Sequence, residues 1–539
     1  MRKNKITILL AALMMQAFSV YALDKGDSLK QANWQNLDPT IDKVMGISTE
    51  KAYAELLQGK QSKTVIVAVI DGGVDTTHED LRSILWVNEK EIPNNGIDDD
   101  NNGYIDDIHG WNFIGNAQGE NIHHATLELT RLYALYQELY AGMNQDSLLA
   151  SEDESLKQYK KVVTDFEAKK SEADANYQYV TKIASDFVRY DSILRVLTGK
   201  ENYTEKEIKA LKLEKKSLAD SARRFITMAS KQGINQERID KYSEYLQNRI
   251  DYHYNPDFKA REVIGDDEQQ WLTSQYGNND VMGEEPGHGT MVSGAIAAVR
   301  NNNIGVNGIA DNVRIMAIRT VPDGDEWDKD VAASIKYAID NGAEIINMSF
   351  GKSYSPQKHF VDSIVKLADA ANVLLVHAAG NDNNNIDIEE NFPNRYSSGA
   401  ELLVNNYITV GASAISAKKN NLVAGFSNYG KKQVDLFAPG HDLLLCAPGN
   451  EYEVASGTSF AAPVVSGVAA LIKSYYPMLS AAQVKDIILK SAVTNDYDVK
   501  LPGTTGKKAT IVPFKDLSLT GGVVNVYEAL KLAETVSKQ

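Results

Sequence analysis

Three glycine-rich stretches hold the residues that could do chemistry: "DGGVD" beginning at Asp71, "GHGTMVSG" containing His288, and "SGTSFAAP" containing Ser459. A carboxylate, an imidazole and a hydroxyl are the three parts of an activated serine nucleophile. Ser459 is a weak nucleophile at its own pKa and needs a base. His288 can take its proton, and Asp71 can orient the imidazole and stabilise the imidazolium that forms. The neighbouring glycines let backbone approach a reacting group closely. Each stretch alone has an ordinary structural explanation, since an Asp before Gly often closes a strand as a turn, and "HGT" and "GTS" are common helix starts. The order Asp, His, Ser, with each member at a strand-to-helix junction or a helix start, makes the set a catalytic candidate.

A fourth stretch, "NNGIDDDNNGYIDDIHGWNF", concentrates acids on a tight turn. Asp98, Asp100 and Asn102 alternate, Gly103 permits a sharp bend, Tyr104 can offer its carbonyl, and Asp106 or Asp107 follows. Hard oxygen ligands in this pattern suit a structural Ca2+ ion. The terminal bidentate Glu of a calcium loop is missing, with His109 in its place. The alternative is a solvated acidic turn, but so many acids in so few residues repel one another unless a cation sits among them.

The elements that must position these residues are short apolar runs: "TVIVAVI", "VRIMAIR", "AEIINMSF", "NVLLVHAAG", "YITVGAS" and "VDLFAPG". Amphipathic stretches such as "DVAASIKYAIDNG" and "VDSIVKLADAAN" separate several of them. Strands alternating with helices imply an α/β fold, a parallel sheet covered on both faces, with function at the carboxyl ends of its strands. Residues 123–256 break this rhythm: Pro is rare, charges of both signs interleave with apolar positions three to four apart, and an all-α helical insertion of three or four helices is expected. Thr204 and Glu207 stand at capping-box spacing, and Gly233 separates two later helical runs. The expected organisation is a signal peptide over 1–22, an N-terminal arm over 23–63, a catalytic domain in two parts over 64–122 and 257–539, and the insertion between them.

The first residues, "MRKNKITILLAALMMQAFSVYALDKG", read as a basic segment, an apolar core and a small-residue exit, with cleavage after Ala22. The expectation is export to the periplasm or the extracellular medium without a transmembrane anchor. The 539 residues are 43% apolar and carry a formal charge of −16, which excludes extended disorder and disfavours nucleic-acid or polybasic membrane binding. Cys446 is the single cysteine, so no intramolecular disulfide stabilises the chain, and its apolar flank marks it as a buried small hydrophobe.

Taken together, "VIVAVIDGGVDTTHEDL", "GHGTMVSGAIAA", "GTSFAAPVVSGVAAL" and "HAAGN" resemble the aspartate, histidine, serine and oxyanion-asparagine segments of the subtilisin-like serine peptidases, the subtilases. The resemblance covers roughly 64–120 and 275–495. It implies a subtilisin-like fold and hydrolysis of protein or peptide substrates through an acyl-enzyme, with Asp71, His288 and Ser459 as the triad and Asn381 as oxyanion donor. An Asn amide has its own physical case for that role, because a tetrahedral intermediate places negative charge on the former carbonyl oxygen. "NMSFG" resembles the segment that pairs with substrate: Ser349, Phe350 and Gly351 would add a peptide as a further strand, with Ala378, Ala379 and Gly380 forming a mostly apolar wall opposite. Gly72 departs from the family, which has Ser or Thr there. Two other readings compete. An esterase is disfavoured because "GTSFA" is not the G-x-S-x-G elbow, and a catalytically silent protease fold acting as a binding or scaffold protein is disfavoured by the full set of catalytic residue types. The sequence is silent on oligomeric state.

Overall fold

The computed structural model describes residues 32–539 apart from 269, 271–275, 398–400, 417, 495 and 505–508. The signal peptide expected over 1–22 lies outside the described residues. The chain divides into two units, one of Leu129–Phe258 and one of the described residues up to Glu128 together with Lys259–Gln539.

The larger unit is built on strands β1 (Val65–Asp71), β2 (Gly110–Asn112), β3 (Val313–Arg319), β4 (Ile345–Met348), β5 (Leu374–Ala378), β6 (Tyr407–Ser413), β7 (Leu436–Pro439), β8 (Leu443–Ala447), β9 (Glu451–Ala455), β10 (Val493–Thr494), β11 (Asp498–Lys500), β12 (Ile511–Pro513) and β13 (Gly522–Val523). Nine of them form one sheet in the order β10-β13-β7-β6-β5-β4-β1-β3-β2. Every neighbouring pair is parallel except β10 with β13. The six apolar runs read from the sequence are β1 and β3 to β7. β2, "GWN", is too short to show a period and forms only because β3 offers it an edge. β1 lies where the strand order reverses, between β3 and β4, and this is where an open α/β sheet leaves a crevice at its strand ends.

Both faces of the sheet are covered by helices, so the fold is the expected α/β arrangement. In chain order the helices are α1 (Thr49–Glu55), α2 (Glu128–Leu139), α3 (Gln145–Ala150), α4 (Lys157–Thr198), α5 (Glu205–Ala210), α6 (Leu218–Lys231), α7 (Gln236–Asn248), α8 (Gly287–Ala297), α9 (Asp328–Asp340), α10 (Lys358–Ala370), α11 (Thr458–Tyr475), α12 (Ala481–Lys490) and α13 (Val526–Val536). Side chains alternate along a strand, so β1 divides its residues between the two faces. Val65, Val67 and Val69 pack in one core with Val292 of α8 and Val464 and Val468 of α11. Ala68 and Ile70 pack in the other core with Val331 and Ile335 of α9 and Val361 and Ile364 of α10. Asp71 keeps the parity of Val69 and therefore points to the side of α8 and α11. Cys446 is buried in the first core, as its flank suggested, and burial pushes its thiol far above the usual value.

The smaller unit is helical throughout its regular structure. α4 runs 42 residues, about 60 Å at 1.5 Å per residue, and serves as its spine. Its residues Ile183, Val180 and Leu194 each nucleate a small cluster, with Ala229 and Ile239, with Tyr242 and Leu246, and with Ile208, Ala222 and Ile226. The Thr204–Glu207 capping box forms and starts α5. Gly233, with φ +66°, separates α6 from α7. The three or four helices expected become six because α3 and α5 are only six residues each, too short to show a helical period.

Candidate active site

Asp71 is the last residue of β1 and is 3% exposed. Its backbone carbonyl accepts from Thr320 N–H (2.8 Å), and its carboxylate Oδ1 accepts from Gly72 N–H (2.8 Å). His288 is the second residue of α8, and its Nδ1 lies 2.9 Å from both Asp71 carboxylate oxygens. A carboxylate can only accept, so Nδ1 carries the proton and Nε2 is the basic nitrogen. The His288 side chain is 44% exposed, open on the side away from Asp71. Burial pulls its pKa down, but the charge of Asp71 and the hydrogen bond outweigh burial and hold it above the usual histidine value.

Two contacts explain how the helix reaches the strand. The Thr290 hydroxyl donates to Pro286 O (2.7 Å) and accepts from Asp75 N–H (2.8 Å), tying the first turn of α8 to the loop after Asp71. Gly289 has no side chain because none would fit: a Cβ there would lie 2.2 Å from Gly73 O and 3.1 Å from Asp71 Cβ.

Ser459 is the second residue of α11. Its hydroxyl donates to Ser349 O (3.1 Å) rather than to the imidazole, while Ser349 Oγ donates to Ser459 O (2.7 Å). These two bonds lock the start of α11 to the residue that follows β4. Phe460 stands beside His288, ring centroids 5.5 Å apart. Asn381 Oδ1 accepts from Thr458 N–H (2.9 Å) and Thr458 Oγ1 (3.0 Å), which fixes the amide with Nδ2 turned away from that contact. A Cβ placed on Gly457 would lie 3.6 Å from Ser459 N and from Phe460 Cδ2 and 3.7 Å from Asn381 Nδ2, so both nitrogens stand near Gly457.

A cleft of about 340 Å³ runs along Asp71 and His288 and is lined by Ser349, Phe350 and Gly351 and by Val321, Pro322, Asp323 and Gly324. Ala378 and Ala379 sink their side chains into the cores, so that segment presents backbone and Gly380.

Residues 62–510 match the sequence profile of the Subtilase family. The chain belongs to the subtilase family. Among curated subtilases it is 38% identical to the thermostable alkaline protease of Halalkalibacterium halodurans over 208 residues, 38% of this chain and 52% of that one. It is 36% identical to subtilisin DY of Bacillus licheniformis over 213 residues, 39% of this chain and 71% of that one. It is 36% identical to the thermophilic serine proteinase of Bacillus sp. (strain AK1) over 226 residues, 42% of this chain and 50% of that one. The chain thus spans about half the length of the first curated relatives it matches.

This subtilase also folds its acidic loop around a residue the sequence reading did not single out. Oxygen atoms of Glu91, Asp98 and Asp100 lie within 4.8 Å of one another. Glu91 is buried; its Oε1 accepts from Asp99 and Asp100 N–H (2.9 and 3.1 Å) and its Oε2 from Asp106 N–H (3.0 Å). Asp98 accepts from Asn102 and Gly103 N–H (3.0 and 2.8 Å), and Asn102 Oδ1 accepts from Tyr104 N–H (2.8 Å). The Asp106 and Asp107 carboxylates take other donors. Asp106 accepts from Asn95 and Gly96 N–H (3.2 and 2.9 Å), and Asp107 accepts from Asn88, Asn102 and the Tyr337 hydroxyl (2.7, 3.2 and 2.6 Å). Burial pushes the Asp107 carboxyl up to about 6 against those three hydrogen bonds. Glu91, Asp98 and Asp100 are the carboxylates that could share a cation.

Further supporting residues come from distant segments and carried no local signal. Lys352, next to Gly351, donates to Glu128 (2.8 Å) and to Glu326 O (2.8 Å) and pairs with Asp328 (2.9 Å). His377 Nε2 lies 2.8 Å from Phe350 O, bracing the candidate substrate strand from β5. Burial lowers the His377 pKa to about 4 despite that bond. Arg319, the last residue of β3, completes the wall beside Asp71.

Proposed function

We propose that this subtilase is an exported serine endopeptidase that hydrolyses peptide bonds of proteins through an acyl-enzyme on Ser459. The observation that carries the proposal is His288 Nδ1 at 2.9 Å from both oxygens of Asp71, with Nε2 left as the basic nitrogen toward the open side. An extended substrate enters between residues 349–351 and 321–324 and presents its scissile carbonyl to Ser459. The Ser459 hydroxyl turns from Ser349 O toward His288 Nε2, loses its proton to that nitrogen, and forms the bond to the carbonyl carbon. The resulting oxyanion takes the N–H groups of Ser459 and Asn381 flanking Gly457. His288 returns the proton to the leaving amine as the C–N bond breaks, and water, deprotonated by the same nitrogen, releases the acid.

Glu91, Asp98 and Asp100 would hold Ca2+, which supplies charge balance to the loop and stability to the folded state. Export to the periplasm or beyond fits the basic and apolar N-terminal residues. Among the described residues no helix is long and apolar enough to cross a membrane.

Labelling with a fluorophosphonate, which reacts only with an activated serine, tests the mechanism. The wild type should be labelled and should cleave casein. Ser459→Ala should do neither while keeping its thermal transition, and hydrolysis surviving in that variant would remove Ser459 from the mechanism.

A further inference from the structure

Two glycines follow Asp71, and Gly72 N–H is a donor to its carboxylate. Glycines confer little stiffness of their own, so something must hold this donor in place. Arg319 is the Cα partner of Asp71 in the parallel register of β1 and β3 and shares its face of the sheet. It is 3% exposed. Its Nε donates to Gly72 O (3.0 Å) and its Nη2 to Ile122 O (3.3 Å). Gly283 packs flat on the guanidinium, where a Cβ would come within 2.5 Å of Cζ and Nε. Nη1 has no hydrogen-bond partner among the described residues, and its carboxylate neighbour Asp280 is 3.9 Å away with a side chain 42% exposed. A buried cation this incompletely paired is a poor packing element, because desolvation of a charge is expensive unless matched.

We infer that Arg319 is a positioning residue for the Asp71–His288 pair. Its fork fixes the Gly72 carbonyl and, through that residue, the Gly72 N–H that holds Asp71. The inference rests on reading His288 as the general base. The charged groups that line the cleft with His288 are Asp71 from β1, Arg319 from β3, Glu285 just before α8, and His123, Asp323 and Glu326. Asp280 and Glu284 face the guanidinium. Of these, Asp71 is the group whose charge and hydrogen bond raise the pKa of His288. Burial lowers the pKa of Arg319 itself, against Asp280 and Glu284, but a guanidinium stays charged throughout the working range.

The experiment follows the rate of Ser459 labelling by a fluorophosphonate between pH 5 and 9 in the full chain, for wild type, Arg319→Lys and Arg319→Gln, with thermal melts of each. In both variants the plateau rate should fall, about tenfold for Arg319→Gln and at least about threefold for Arg319→Lys, because neither side chain restores the fork. The acid limb should move down in both, since an Asp71 held less firmly raises the His288 pKa less. A wild-type plateau, or a limb that stays put or moves up, in a variant with the wild-type melt overturns the inference. If Arg319→Gln lacks the wild-type melt, Arg319→Lys decides alone by the same two readings. A wild type that is never labelled would overturn the functional reading instead, a distinguishable result.

Discussion

A single added methyl at Gly289 should uncouple His288 from Asp71. In Gly289→Ala the new Cβ would stand 2.2 Å from Gly73 O and 3.1 Å from Asp71 Cβ. A carbon and a carbonyl oxygen touch at about 3.3 Å, so α8 or the Gly73 peptide must retreat by about 1 Å. Neither can do so cheaply. Gly73 sits at φ +147° with its own Cβ position 2.1 Å from Met282 O, and Thr290 ties the helix to Asp75 (2.8 Å). Two effects oppose each other. Alanine favours a helix over glycine by about 1 kcal/mol, whereas overpacking a rigid contact costs about 1–3 kcal/mol. The clash is with backbone rather than a flexible side-chain end, so overpacking wins and Tm should fall. Activity should fall further, because a misplacement of about 1 Å at a catalytic contact costs about 10²-fold in rate. The assay is kcat/KM on a chromogenic peptide anilide near pH 8, with Gly425→Ala as control, since a Cβ at Gly425 meets nothing within 4 Å. Gly289→Ala with kcat/KM within threefold of wild type would refute the claim that this glycine sets the Asp71–His288 geometry.

Asn381→Asp keeps an acceptor for Thr458 N–H but offers the intermediate no donor, so kcat should fall about 10²–10³-fold with KM little changed; that range is borrowed from the same type of donor in subtilisin and is checked by steady-state kinetics. Chelation should lower Tm, because an ion bound only by the folded state at a hundred times its Kd adds about 3 kcal/mol, and Asp98→Asn together with Asp100→Asn should abolish the chelator effect. His377 is 1% exposed and buried neutral with its pKa near 4, so between pH 4 and 6.5 the unfolded chain binds the extra proton. Its contribution to stability is therefore complete above about pH 6.5 and is lost as pH falls toward 4, up to about 3 kcal/mol, and denaturant melts of wild type against His377→Asn over that range should show the slope only in wild type.

Much of the fold was legible along the chain because its signals are local. The runs of β1 and β3 to β7 are largely apolar, as strands buried on both faces must be. Capping at Thr204 and the break at Gly233 are equally local, and both appear where the spacing put them. Residue types and glycine-rich surroundings likewise marked Asp71, His288 and Ser459 as candidates, and the bond from His288 Nδ1 to Asp71 (2.9 Å) is the contact among them that the structure forms. The one-turn helices of the smaller unit escaped because six residues hold too few apolar positions to show a period.

The sequence by itself determined the alternation of strands and helices, the residue types available for chemistry and the glycines that give them room. Only the tertiary structure decided which of these residues meet. The bond from His288 to Asp71 spans 217 positions, that from Arg319 to Gly72 spans 247 and that from Thr290 to Asp75 spans 215. No periodicity links residues so far apart. They are joined by the order of strands in the sheet, by the parity that turns Asp71 toward α8, and by the absence of a side chain at Gly289 that lets the helix close on the strand. The same holds for the loop, where alternating acids were plain along the chain but Glu91 joined Asp98 and Asp100 only once backbone N–H groups had wrapped around its buried carboxylate. Local pattern reports what a segment can become, and packing between distant segments sets which side chains share a site.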